Sequence, residues 1–124
     1  KPAQGRRVFN QPAGHLEPDE SLLEAARRET LEETGWEVAP TAFIGAYQWK
    51  AETGRHYLRF AFAADPVRPL PERRLDDGIV QALWLTPAEL QAQSDRHRSP
   101  LVWQAVQDYL GGRRFPLDTL QLIA

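Results

Sequence analysis

The chain has 124 residues, of which 42% are hydrophobic and 26% charged, and such a chain usually forms one domain with one core. Its formal net charge of −2 gives no general attraction to nucleic acid or to an anionic membrane. Because it contains no cysteine, disulfides, thiol catalysis and thiolate-bound zinc are excluded. The sequence shows no signal peptide or membrane span, so we expect a cytoplasmic protein without a nucleic-acid or membrane partner.

The first residues of the chain are cationic and rich in glycine and proline. Segment 1–7 is therefore predicted to be an exposed loop, and residues 8–10 a short strand. The chain starts at Lys1 and contains no methionine. We therefore expect residues 1–124 to be a single domain of which some part lies upstream.

A helix is predicted after this segment. Ser21 and Glu24 have the spacing of a capping box, in which each side chain bonds the other residue's backbone, so the helix should begin near Leu22. Gly35 is suited to the left-handed position that follows a helix, so the helix should end there.

Two runs with strand character follow. Residues 41–50 and 55–64 flank a turn-forming segment at 52–54, which predicts an antiparallel hairpin. The second run alternates between two faces, as a strand does. Residues 66–78 contain three prolines and many charges and are predicted to be a loop.

The last third of the chain reads as one strand and two helices. Residues 79–85 are apolar enough for a strand, and Thr86 has the capping signals of a short helix. A longer helix is predicted from Ser99 to Leu110, because its apolar residues follow the helical repeat. Since strands and helices alternate along the chain, the sequence predicts an α/β fold.

The predicted first helix is unusually acidic, with seven of the seventeen acidic residues in segment 12–36. Three of its carboxylates share about a third of the helix circumference: Glu29, Glu32 and Glu33, here called the box glutamates. They repel one another unless a cation lies between them, and Mg²⁺ and Mn²⁺ prefer such oxygen ligands. The alternative is a solvated helix whose charge Arg27 and Arg28 balance.

The spacing of Gly14, Glu20 and the run 28–36, RETLEETGW, resembles the Nudix box, the signature of the Nudix hydrolases. That signature fixes two glycines, four glutamates and an arginine. Thr30 and Trp36 depart from it, since these positions usually carry bulky aliphatic side chains. The resemblance implies a Nudix fold, an α/β/α sandwich with a mixed β-sheet.

The resemblance also implies roles for the matched residues. The box glutamates correspond to ligands of Mg²⁺ or Mn²⁺, and the backbone carbonyl of Gly14 often joins them. Glu32, Glu33 and Arg28 are expected to be catalytic, with Arg28 orienting a box glutamate through a charge-assisted hydrogen bond. Glu20 corresponds to the first glutamate of the box, which is more often structural or linked to the metal through water.

Nudix enzymes often use one more acidic residue, from a loop away from the box, as an extra ligand or general base. Asp76 and Asp77 precede the predicted strand 79–85 and are the candidates for this additional role. Of the two, Asp77 is our choice as a further catalytic residue. The alternative is that Asp77 and Gly78 only form a turn.

Segments outside the box, at 10–17, 58–63, 98–102 and 115–120, resemble the NudJ subgroup of the family. Its members hydrolyse nucleoside di- and triphosphates, thiamine pyrophosphate and the hydroxymethylpyrimidine pyrophosphate precursor. Domains of the family normally begin with one or two strands before the box. Residues 1–11 leave almost no room for these strands, and this strengthens the expectation of upstream residues.

Four side chains are expected to bind substrate: Gln11, Arg59, Tyr47 and Trp49. Arg59 is suited to a phosphate, and Tyr47 and Trp49, with Tyr57, to stacking on a base or pyrimidine ring. The alternatives are a surface salt bridge for Arg59 and core packing for the aromatic residues.

The sequence thus predicts Mg²⁺-dependent hydrolysis of a phosphoanhydride bond in a small di- or triphosphate. Nucleoside diphosphate-sugars and dinucleotides are the alternative substrates, and a Nudix-fold sensor that binds a nucleotide without cleaving it is the alternative function. The complete carboxylate set argues against a sensor. The oligomeric state, monomer or homodimer, is left open.

Overall fold

A computed structural model describes residues 7–123, so the predicted loop at 1–7 lies almost wholly outside the described residues. The described part forms helices and one antiparallel sheet. Its elements in chain order are α1 (Leu22–Thr34), β1 (Trp36–Lys50), β2 (His56–Pro69), α2 (Pro87–Ala92) and α3 (Leu101–Leu110), with 3₁₀ turns at Ser94–Arg96 and Leu117–Thr119.

Helix α1 begins and ends where the sequence predicts. The Ser21 hydroxyl accepts a hydrogen bond from the Glu24 N–H at 3.1 Å, and the Glu24 carboxylate accepts one from the Ser21 N–H at 2.9 Å. At the other end, Gly35 has a φ of 76°, and its N–H donates to the Leu31 carbonyl. The caps satisfy backbone groups that a helix cannot pair internally, so they fix the position of the acidic helix.

We expect Ser21→Ala to lower the free energy of unfolding by about 1 kcal/mol, because the Glu24 N–H loses its acceptor. Urea denaturation monitored by circular dichroism measures the change. Ser94→Ala is the matched control, since the Ser94 side chain makes no hydrogen bond among the described residues. Equal stability of the wild-type protein and Ser21→Ala would contradict the prediction.

The predicted hairpin is confirmed and is longer than expected. β1 and β2 pair antiparallel from Lys50 and His56 at the turn to Trp36 and Pro69 at the far end. Gly54 closes the turn with a φ of 89°. The prediction that all of 66–78 is loop is wrong for residues 66–69, which belong to β2. Proline is tolerated in a strand that has a free edge, because its missing N–H then costs no ladder bond.

The predicted strand at 79–85 is wrong. These residues are not assigned to a strand, and among residues 7–123 their backbone has no strand partner. An apolar run favours a strand, but only backbone hydrogen bonds to a neighbour make one. The segment instead packs through Trp84, whose ring meets Trp36 edge to face at 5.3 Å while remaining 68% exposed.

The core lies around the middle of β1. Phe43 and Ile44 are buried there, as are Leu101 and Val102 in the first turn of α3. Phe43 also contacts three aromatic rings, those of Phe60, Phe62 and Phe115. Phe43 and Phe115 exchange two backbone hydrogen bonds, of 2.9 and 2.8 Å, so the end of the chain covers the edge of β1.

Both α1 and α3 contact β1, as expected for helices packed on a sheet. The predicted strand at 8–10 is reduced to one parallel bridge between Phe9 and His97. Among the described residues, the bridge between Phe9 and His97 is parallel, whereas the two strands of the hairpin are antiparallel. The predicted beginning of α2 at Thr86 and the end of α3 at Leu110 are confirmed.

No helix within residues 7–123 combines the length and the apolar character that crossing a membrane requires.

Candidate active site

Arg28 organises the loop before α1 and the helix itself. Its guanidinium donates two hydrogen bonds to the Glu20 carboxylate, at 2.7 and 3.0 Å, and one to Glu32, at 2.9 Å. A fourth goes to the His15 carbonyl at 2.9 Å. The bond from Arg28 holds the pKa of Glu20 below its ordinary value, and Glu20 raises the pKa of Arg28. Arg28 is therefore placed to orient a box glutamate, as its position in the signature implies.

Glu29 lies against the backbone of Gly14. A Cβ added at Gly14 would overlap with the Glu29 carboxylate, so only glycine leaves room for this approach. Burial raises the pKa of Glu29 to about 7; the charge of Arg28 opposes this shift, and those of Glu33, Glu20 and Glu32 add to it. The structure thus brings Gly14 and Glu29 together, as the signature implies for a shared site.

Glu33 is half-buried on the same side of the site. Its carboxylate accepts a hydrogen bond from the Ala13 N–H at 3.2 Å. Burial raises the pKa of Glu33, the bond from Ala13 lowers it, and the charges of Asp76 and Glu32 raise it. The Ala13 N–H was not predicted from the sequence, since a backbone donor leaves no signal in residue type.

The box glutamates are chemically suited to a hard divalent cation, because they offer only oxygen donors. Burial and the neighbouring carboxylates both raise the pKa of Glu29, so a cation would stabilise its charged form. They do not form a ready-made site. Within residues 7–123, no group of three or more His, Cys, Asp or Glu side chains is arranged to hold a metal ion. Glu32 points to Arg28 and Glu33 to Ala13, so binding requires these side chains to turn.

We expect the free energy of unfolding of the metal-free protein to decrease as the pH rises from about 4.5 to about 7. Glu29 has a pKa of about 7 when folded and an ordinary value of 4.5 when unfolded. In this window the folded state binds more protons than the unfolded state, so a rise in pH favours unfolding. Urea denaturation with a chelator present, across this range, measures the slope.

Glu29→Gln is the control for this pH dependence, since it removes the titrating group and keeps the size of the side chain. The variant should be more stable than the wild-type protein at about pH 7 and should lose most of the difference near pH 4.5. The same pH slope in both proteins would show that Glu29 is not its source.

The two aspartates considered for the additional acidic role lie in different surroundings. The Asp77 side chain is 99% exposed and lies 3.8 Å from Arg74. The Asp76 N–H donates to the Glu32 carbonyl at 3.0 Å, and the charge of Asp76 raises the pKa of Glu33. The structure therefore brings Asp76, and not Asp77, next to the box glutamates.

Gln11 and Arg59 are brought together, although they lie far apart in the sequence. The Arg59 guanidinium donates to the Gln11 side-chain carbonyl at 3.5 Å and to that of Asn10 at 3.3 Å. Burial lowers the pKa of Arg59, while the charge of Glu33 raises it and that of Arg98 lowers it. Arg59 is therefore a partly buried cation beside the box glutamates. The contact between Asn10 and Arg59 was not predicted, because no motif in the sequence links these two residues.

The aromatic candidates on the hairpin are separated by their contacts. The Trp49 ring stacks on the Tyr57 ring at 5.4 Å near the hairpin turn, and Arg55 lies over Tyr57 at 5.6 Å. The Tyr47 hydroxyl instead donates to Asp108 on α3 at 2.6 Å. Among the described residues, no hydrogen bond or ring contact joins Tyr47 or Trp49 to the box glutamates.

A family model for the NUDIX domain matches residues 1–104. The phosphatase NudJ of Escherichia coli (strain K12) is 41% identical over 116 residues, which cover 94% of this chain and 75% of that protein. The phosphatase NudJ of Shigella flexneri matches with the same identity and coverage.

Among solved structures, a NUDIX hydrolase from Nitrosomonas europaea superposes with a TM-score of 0.90 at 48% sequence identity. The superposition covers 94% of this chain and 79% of that one. It confirms the expected fold.

Proposed function

Because the chain belongs to the NUDIX hydrolase family and is therefore a hydrolase, we propose that it cleaves a phosphoanhydride bond in nucleoside di- or triphosphates, or in thiamine pyrophosphate and its hydroxymethylpyrimidine pyrophosphate precursor. The observation that carries the proposal is the approach of Glu29 to Gly14 beside Glu33, with Glu32 held by Arg28. The similarity to proteins named phosphatase NudJ supports hydrolysis of a phosphate-containing substrate.

Mg²⁺ or Mn²⁺ is the proposed cofactor, and when bound it would neutralise phosphate oxygens and lower the pKa of a water molecule. The box glutamates would hold it, with the Gly14 carbonyl as a further oxygen donor. Arg28 limits the freedom of Glu32 before the metal binds. Three of the four hydrogen bonds of Arg28 hold the guanidinium on Glu20 and His15, and the fourth holds Glu32. On binding, Glu32 would turn from Arg28 toward the metal, while Arg28 stays anchored to Glu20 and His15.

We assign the additional acidic role to Asp76 instead of Asp77. Asp76 is fixed to the helix backbone at Glu32 and acts electrostatically on Glu33. It is therefore suited to accept a proton from the attacking water or to act as a further ligand. Asp77 lies in solvent near Arg74, which favours its interpretation as a turn residue.

The substrate would lie between the box glutamates and Arg59, whose positive charge is suited to a phosphate oxygen. Trp49 and Tyr57 present the proposed stacking surface for a base or pyrimidine ring. The bond of Tyr47 to Asp108 favours a packing role for Tyr47. The cytoplasmic location remains a prediction.

A panel of nucleoside di- and triphosphates, nucleoside diphosphate-sugars, dinucleotides and the two thiamine-related pyrophosphates tests the function. Each is incubated with protein and Mg²⁺ in oxygen-18-labelled water, and phosphorus NMR identifies the product and the phosphorus that was attacked. We expect cleavage of one of the proposed substrates and none without the metal. Binding of a nucleotide without turnover would instead support the sensor.

A further inference from the structure

The side chain of Gln11 bridges the helix α3 and Arg59. Its amide nitrogen donates to the Val102 carbonyl at 2.6 Å, and its amide oxygen accepts the 3.5 Å bond from Arg59. A carbonyl can only accept and a guanidinium can only donate. The partners therefore fix which end of the amide faces which neighbour, and both ends of Gln11 are engaged before any ligand arrives.

The α3 end of this bridge is rigid. Val102 is 1% exposed and lies in the first turn of α3. The segment that carries Gln11 is attached to the same region by backbone bonds, since the Phe9 N–H donates to the Arg96 carbonyl and the Arg98 N–H to the Phe9 carbonyl. Gln11 thus connects the guanidinium of Arg59 to the buried core.

The Arg59 end of the bridge keeps its charge available. Among residues 7–123, Arg59 forms no salt bridge with a carboxylate. The hydrogen-bond partners of its side chain there are the neutral amides of Asn10 and Gln11. Neutral acceptors restrict the guanidinium without neutralising it, whereas a carboxylate would compete with an anionic ligand. A partly buried cation whose partners are neutral is strongly stabilised when a phosphate group forms charge-assisted hydrogen bonds with it.

We propose that Gln11 is a positioning residue, which holds Arg59 toward a phosphate group of the substrate and does not itself contact that substrate. The inference rests on the proposed function and replaces the expectation, drawn from the sequence, that Gln11 binds the ligand directly. This role also explains why residue 11 carries an amide, since its side chain must both donate to the Val102 carbonyl and accept from Arg59.

A double-mutant cycle tests the proposal with Gln11→Met, Arg59→Met and the double variant. Calorimetry with inorganic pyrophosphate and Mg²⁺ measures binding, and steady-state hydrolysis of a nucleoside triphosphate measures kcat and KM. We expect Arg59→Met to weaken pyrophosphate binding roughly 10- to 100-fold and Gln11→Met about tenfold. KM should rise in parallel with little change in kcat, and the double variant should bind no worse than Arg59→Met.

Independent effects would overturn the proposal: if Gln11→Met weakens binding as much in the Arg59→Met protein as in the wild-type protein, Gln11 contacts the ligand itself. Gln121→Met is the matched control, because Gln121 also donates to a backbone carbonyl, that of Asp118, but on the exposed tail. It should bind pyrophosphate as the wild-type protein does.

A second variant guards against loss of folding. Gln11→Glu would place a carboxylate beside Arg59 and neutralise it, so pyrophosphate binding should fall further than in Gln11→Met; unchanged binding would contradict the proposal. Since pyrophosphate binding requires no turnover, the cycle can be read even if the wild-type protein hydrolyses nothing on the panel. That result would refute the proposed function alone.

Discussion

Replacing Glu32 by glutamine is expected to lower kcat by roughly 10²- to 10⁴-fold, the range typical of a catalytic carboxylate. Glutamine has the same shape but lacks the negative charge that a divalent cation and Arg28 both require. The Glu32 side chain is 29% exposed, and Arg28 keeps its bonds to Glu20 and His15 if its bond to Glu32 weakens. The fold should therefore persist. Phosphate release under saturating Mg²⁺ measures the loss, and a titration with Mn²⁺ followed by electron paramagnetic resonance measures metal affinity.

Glu24→Gln is the control for this loss, because Glu24 lies on the same helix and glutamine preserves its capping bond to Ser21. It should keep wild-type activity and metal affinity. If Glu32→Gln retains activity within a few-fold of the wild-type protein while Mn²⁺ still binds, Glu32 has no part in the reaction.

Gly14→Ala is expected to leave the protein folded and to weaken metal binding by roughly 10- to 100-fold, with a matching loss of activity. The new methyl group would occupy the space of the Glu29 carboxylate. That carboxylate is the far end of a flexible side chain, so it moves aside with little cost to the fold. The displacement removes it from the Gly14 backbone and hence from the proposed site.

Thermal denaturation should show a melting temperature close to that of the wild-type protein, and calorimetry with Mn²⁺ should show the weakened binding. Gly111→Ala is the matched control, because Gly111 has a φ of −75° and an added Cβ would meet only ordinary contacts. Full metal affinity in Gly14→Ala would mean that Glu29 does not bind the metal from its position beside Gly14.

The local signals in the sequence predicted the ends of the helices well. The capping box at Ser21 and Glu24 depends on residues three positions apart, so the sequence contains all the information needed for the beginning of α1. The segment 79–85 illustrates the opposite case. Its apolar composition favours a strand, but whether a strand forms depends on a distant partner, which residue type does not reveal.

The candidate site divides in the same way. The approach of Glu29 to Gly14 and the bond between Arg28 and Glu32 follow from a motif in which spacing determines geometry. The placement of Asp76 near Glu33 depends on how loop 70–78 folds back over α1, and the motif carries no information on that loop. The bond between Tyr47 and Asp108 likewise required the packing of α3 on the sheet.

The backbone pairing of Phe115 with Phe43 has a consequence for the order of folding. The β1–β2 hairpin closes through a short turn and can form as soon as β2 has been synthesised. The Phe115 pairing closes a loop that spans most of the chain, which is slower because of its entropy. On the ribosome, the edge of β1 at Phe43 therefore stays uncovered until Phe115 emerges, and the ring contact between Phe43 and Phe115 forms after those of Phe43 with Phe60 and Phe62.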